Sequence, residues 1–175
     1  MGKQAQSPAP TVMSSPQAFI LFDHSQKYVN IVDVLGVPIT DGTLHRLGRV
    51  MHPQMADIGA VGDAEQISGT WLYAGDYWSH FGHFLFESMA RLWALKTLDR
   101  PIDGLIFSSP RPAWDMEHRD PGFQIDLLRR VGADLPVKIV ANNCQVENLI
   151  VPKQGCGIGS LAGGTPEFRD FIREG

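Results

Sequence analysis

The 175-residue chain is 43% apolar and 19% charged, with a formal net charge of −4. That balance fits a globular core rather than a disordered chain, and the acidic charge argues against a dedicated nucleic-acid binder, so no nucleic acid is expected as a partner. No apolar run approaches the ~20 residues of a membrane span, no run of like charge forms a polybasic patch, and the first residues lack the apolar stretch of a signal peptide. Two cysteines, Cys144 and Cys156, do not make a disulfide framework. These features point to reduced thiols and a cytoplasmic protein, with peripheral attachment to the inner membrane face left open.

Residues 1–16, rich in Pro, Ser, Ala and Gln, read as a disordered leader. Residues 17–64 read as a β-rich N-terminal segment, with strands expected at 18–23, 27–35 and 43–51 and a loop at 52–64. A further strand is expected at 65–73, and 74–76 read as its turn. Next comes the one long helical stretch, 77–98, YWSHFGHFLFESMARLWALKTL. Ser79 is the expected N-cap. Gly82 costs the first turn about 1 kcal/mol relative to Ala, which suggests a close approach to the backbone there.

Beyond it come a strand at 103–108, a polar loop at 109–121 carrying Trp114, and a helix at 123–131 ended by Gly132. Strands at 137–140 and 144–151 and a glycine-rich loop at 155–164 lead to a last helix, with Thr165 as cap and Pro166 at its first position. From residue 65 onward helices and strands alternate, which predicts an α/β lobe over 65–175 with a parallel or mixed sheet. The last helix ends without a closing strand, so the expectation is one lobe of a longer protein.

The chemistry concentrates on the long helical stretch. At about 100° per residue, His80, His83, Glu87 and Arg91 form a narrow stripe, while Phe81, Phe84, Leu85, Met89, Leu92 and Leu95 form a broad apolar face. Three readings stand side by side. The stripe is a set of satisfied polar groups fixing the helix; or His80, His83 and Glu87 are three donors of a metal-dependent hydrolase; or the row faces a substrate, with an imidazole or carboxylate as base and a guanidinium gripping an anion. Tyr77 and Trp78 offer flat faces on which a sugar could stack, or pack in the core. The loop at 155–164 is a weak phosphate-binding fingerprint. Asp115-Met116-Glu117 is a poor match to an Asp-x-Asp metal motif.

The run Ser79-His80-Phe81-Gly82-His83-Phe84-Leu85-Phe86-Glu87, continuing through Ala90-Arg91-Leu92-Trp93, resembles the signature helix of glycosyltransferase family 61. His83, Glu87 and Arg91 match the family's histidine, acidic and arginine positions; His80 stands where Asn is usual and Ala90 where Pro is usual. The resemblance implies an α/β fold with a Rossmann-like lobe of GT-B type, here the N-terminal, acceptor-side lobe, with the nucleotide-sugar lobe absent. It implies a transferase that moves a sugar from a nucleotide sugar, as co-substrate, to a glycan acceptor in polysaccharide or lipopolysaccharide biosynthesis. Inversion without a metal or other cofactor is implied. His83, Glu87 and Arg91 would be catalytic, and His80, Tyr77 and Trp78 would bind substrate. A non-catalytic glycan-binding or scaffolding lobe is the alternative, beside the hydrolase.

Overall fold

The computed structural model describes residues 12–109, 121–159 and 161–174. Its centre is a six-stranded sheet of β1 (Val12–Asp23), β2 (Tyr28–Val32), β5 (Glu65–Asp76), β6 (Gly104–Ser108), β7 (Val137–Val140) and β8 (Cys144–Pro152), in the order β2-β1-β8-β5-β6-β7. β8, β5, β6 and β7 run parallel, and β1 pairs antiparallel with both β8 and β2. The protein is therefore mixed α/β, as expected. β3 (Leu44–Arg46) and β4 (Arg49–Met51) form a separate hairpin. Leu47 and Gly48 at its tip both have positive φ, the two-residue turn whose twist matches a hairpin.

Two boundaries differ from expectation. Residues 12–16 are not part of a disordered leader: Val12 to Pro16 pair with Pro152 to Asn148 of β8. Composition misleads here because the backbone bonds of this stretch are supplied by β8, far along the chain. Nor does 17–64 stand apart from 65–152, since β1 and β2 lie in the same sheet as β5 to β8.

Each face of the sheet buries its own core, as the two-residue alternation of strands requires. Leu72, Ala74, Leu105 and Phe107 meet the helical layer. Tyr73, Ile106, Leu149 and Val151 face the other way, where Ala18 and Ile20 of β1 and Val29 and Ile31 of β2 join them, so the sheet curls toward itself on that side.

The helical layer holds α1 (Phe81–His83), a π turn (Phe84–Ser88), a 3₁₀ turn (Leu92–Lys96), α2 (Pro121–Arg130) and α3 (Pro166–Glu174). Stretch 77–98 is thus not one continuous helix. The ladder changes from Phe84 N–H to His80 O, to Met89 N–H to Phe84 O, to Leu92 N–H to Met89 O. Such π turns recur at functional sites and re-aim the side chains after them. α2 and α3 agree with the sequence signals. Gly132, at φ +75°, closes α2 with a bond from Ala133 N–H back to Leu128 O. Thr165 Oγ1 accepts from Phe168 N–H at the start of α3.

The start of the glycine-rich loop, 155–157, is tightly packed rather than a loose connector. A Cβ on Gly155 would lie 2.8 Å from Phe168 Cβ and 3.0 Å from Trp93, and one on Gly157 would lie 2.6 Å from His45 O. At these two positions the close contacts alone require glycine. Trp114 and residues 115–117 lie outside the described residues. Among the described residues no helix is long and apolar enough to cross a membrane.

Candidate functional site

The site forms where parallel strands end. β5 finishes at Gly75-Asp76 and β6 at Ser108, and the chain turns from Asp76 through Tyr77 and Trp78 into α1. Residues 74–76, expected as a turn, therefore belong to the strand. Gly75 takes φ +108° at an irregularity in the β5–β6 register, with Glu87 O and the Arg91 side chain just over its Cα. The Ser88 hydroxyl donates to Asp76 O at 2.5 Å and accepts from Trp78 N–H at 3.2 Å, tying strand end to π turn. Ser79 does not cap α1. His80 holds the N-cap position without a side-chain bond, and the Ser79 hydroxyl is buried without a hydrogen-bond partner.

Because the helix is broken, the expected stripe divides. His80 is exposed. His83 is half-buried, its side chain 25% exposed, with Nδ1 3.3 Å from Glu87 Oε2. Glu87 is buried at the mouth of the π turn, its side chain 1% exposed. Burial pushes its carboxyl up to about 7, while the Arg46 guanidinium and the Trp78 indole N–H pull it back down.

Arg91 lies deeper still. It donates from Nη1 to Asp41 O at 2.6 Å and to Pro152 O, and from Nη2 to Thr43 O at 2.8 Å. Its guanidinium also lies 5.4 Å from the centroid of Tyr73. All its reach goes into tying the 3₁₀ turn Thr40–Gly42 and the end of β8 to the helical layer. Arg91, expected to be catalytic, is buried with three of its N–H donors on backbone carbonyls, a placement that suits tying the fold together better than reaching a substrate.

Tyr77 and Trp78 likewise do not present stacking faces. Tyr77 is buried edge-on against Phe84 and Phe107. Trp78, 4% exposed, is sandwiched between the His83 ring, 5.1 Å away, and the Arg46 guanidinium, 4.3 Å from its ring centroid. His80, His83 and Glu87 do not converge as donors: the two rings meet edge to face at 5.4 Å, and among the described residues no three His, Cys, Asp or Glu gather as a metal ion requires.

The structure adds residues that the stripe did not contain. Asp76 is buried and raised to about 6 by desolvation; the Ser108 hydroxyl, donating to its Oδ1 at 2.7 Å, and Arg46 work against the rise, while Glu87 adds to it. Tyr73 OH is 2.9 Å from Ser108 Oγ. Arg46 comes from β3, and the hairpin carrying it is held by the Gln154 side-chain amide, which pairs with both backbone groups of His45. A carboxylate ending a strand in an α/β pattern is a sequence signal for Asp76, since ligands gather outside the carboxyl ends of parallel strands. Arg46 has no such signal, because only tertiary packing brings the hairpin over Trp78. The two cysteines are buried and unbridged, and burial pushes both thiols up, away from nucleophilic use.

No family model, characterised protein or solved structure matches the chain.

Proposed function

We propose that the protein is a glycosyltransferase lobe in which His83, backed by Glu87, is the base that activates an acceptor hydroxyl. The observation that carries this reading is the His83–Glu87 contact at the carboxyl ends of β5 and β6: the imidazole reaches solvent and the carboxyl behind it does not. The 3.3 Å separation is an ion-pair distance rather than a hydrogen bond; a small turn of the ring would make it one, and an imidazole oriented by a buried carboxylate is a general-base arrangement. The motif run 79–93 and the parallel strands β8-β5-β6-β7 support a Rossmann-like lobe of GT-B type.

In the reaction, His83 turns Nδ1 to Glu87 and takes the hydroxyl proton at Nε2. The acceptor oxygen forms its bond to the anomeric carbon of a nucleotide sugar as the bond to the diphosphate breaks, which inverts that carbon in one displacement. The Glu87 carboxylate stabilises the imidazolium while it lasts. Asp76 and Arg46 set the field around that carboxylate. No residue of the site needs a metal for this step. His80, exposed beside His83, is placed to contact the acceptor. The acceptor is a glycan of polysaccharide or lipopolysaccharide assembly, handled on the cytoplasmic side of the membrane.

The test is sugar transfer from a panel of nucleotide sugars to glycan acceptors, comparing the wild type with H83A and E87Q. Transfer by the wild type that both variants lose supports the reading. Transfer that both retain overturns the site, and donor hydrolysis without acceptor transfer overturns the reaction.

A further inference from the structure

Arg46, Trp78, His83 and Glu87 form a continuous stack across three elements. The guanidinium of β3 lies 4.3 Å from the Trp78 centroid, Trp78 lies 5.1 Å from the His83 ring, and His83 Nδ1 lies 3.3 Å from Glu87 Oε2. We propose that Arg46 is the positioning residue of this site: it clamps the Trp78 indole against His83 and brings a positive charge to the stack that ends at the Glu87 carboxyl, so the β3–β4 hairpin must be seated for the site to be assembled. The inference rests on the reading of Glu87 as the group behind the base.

Arg46 is suited to the task by its shape. A flat guanidinium can lie on an indole face and still act on charges at its edge, which an ammonium does less well. Bonds that hold the hairpin to the body include the two from Gln154 to His45, and Gly48 N–H to Ile158 O. Gly157 and Gly159 let the loop approach it, since a Cβ on either would lie within 2.6 Å of the His45 or Gly48 backbone. Gly157 and Gly159 thus seat the hairpin, and the hairpin seats Arg46.

Other groups face the Glu87 carboxyl from the elements around it: His83 of α1, Trp78 of the preceding turn, Asp76 of β5, and Cys156 of the loop after β8. Arg91 acts elsewhere, on the carbonyls of Asp41, Thr43 and Pro152. Arg46 is the cation in this group that the hairpin can bring or remove.

The experiment is a carbon-13 carboxyl NMR titration of the full chain labelled at glutamate, with Glu87 assigned by E87Q. It compares the wild type with R46A, R46M and R46K. Loss of the charge in R46A and R46M should raise the Glu87 midpoint by roughly half a pH unit or more, with R46K between them and the wild type. R46M keeps apolar packing on Trp78, so it carries the test if R46A does not fold. A wild-type midpoint in folded R46M overturns the proposal. Loss of folding in all three variants also overturns it, because Arg46 would then serve the fold. The titration needs no turnover, so it is read separately from the glycosyl-transfer assay. If transfer is observed, R46M should shift the acid limb of the rate profile upward by the same amount as the NMR midpoint.

Discussion

His83 Nδ1 sits 3.3 Å from Glu87 Oε2, one side chain reaching solvent and the other sealed behind it. This division of labour sets a direction for pH. With the Glu87 carboxyl up at about 7, its ionised form, which supports an imidazolium, grows as pH rises through that value. Transfer rate should therefore climb between about pH 6 and 8. H83A should lower it by roughly 10²–10⁴-fold, the usual worth of a positioned general base. A pH–rate profile of the wild type beside H83A checks both.

Stability should move the opposite way. A carboxyl whose folded pKa lies above its unfolded value binds its proton more tightly when folded. That contribution is whole below about pH 4.5 and is lost as pH rises through about 7 for Glu87. Glu87→Gln, which stays neutral, should melt higher than the wild type at pH 8 and lose that advantage near pH 5. Thermal melts at the two pH values decide it, and an equal gain at both would contradict the assignment.

Arg91→Lys is expected to damage the fold rather than the chemistry. An ammonium cannot reach Asp41 O, Thr43 O and Pro152 O together. Leaving buried carbonyls unpaired costs about 1–3 kcal/mol each, so Arg91→Lys should lower stability by about 2–4 kcal/mol. Urea unfolding measures this. A variant as stable as the wild type would return Arg91 to the list of residues available to a substrate.

Ser108→Ala removes the donor to Asp76 and the partner of Tyr73 OH. It should cost about 1–3 kcal/mol and push the Asp76 carboxyl further above about 6, because the hydroxyl is what holds it down. Denaturant melts give the first quantity and a carboxyl titration of Asp76 the second.

Gly155→Ala is expected to destabilise by about 1–3 kcal/mol through overpacking. Its new Cβ would meet Phe168 Cβ at 2.8 Å, Trp93 at 3.0 Å and Ala90 O at 3.1 Å. Gly163→Ala, with open space around it, should be close to neutral and serves as the control.

How far these features are legible in the sequence depends on the range of the interaction that makes them. Strands β5 to β8 and helices α2 and α3 arise from local periodicity and from Gly132, Thr165 and Pro166. The apolar face of 77–98 is also real, since Phe84, Met89 and Leu92 are fully buried. What local pattern does not contain is the change of ladder inside that stretch. A fixed 100° step puts His80, His83, Glu87 and Arg91 on one line, whereas the π turn leaves His80 outside and sends Arg91 to three distant carbonyls. Arg46 and Asp76 were missed for a related reason: neither has a neighbour in sequence that signals a charge network. Val12 to Pro16 carry a polar, proline-containing composition, and only the edge of β8 makes them a strand.

The π turn makes the segment between His83 and Arg91 a matter of counting rather than of identity. Met89 N–H closes its ring on Phe84 O, so this stretch holds one residue more than an ordinary helical turn would. Many substitutions at the exposed Phe86 should pass. Removing Phe86 altogether should let Met89 N–H close on Phe84 O as an ordinary α turn, which leaves Met89 and Arg91 where they are and re-places only the residues inside the turn. Glu87 would then lose its position behind His83, while Arg91 keeps the carbonyls of Asp41 and Thr43. Homologues of this chain should vary in the letters of this stretch far more readily than in its length.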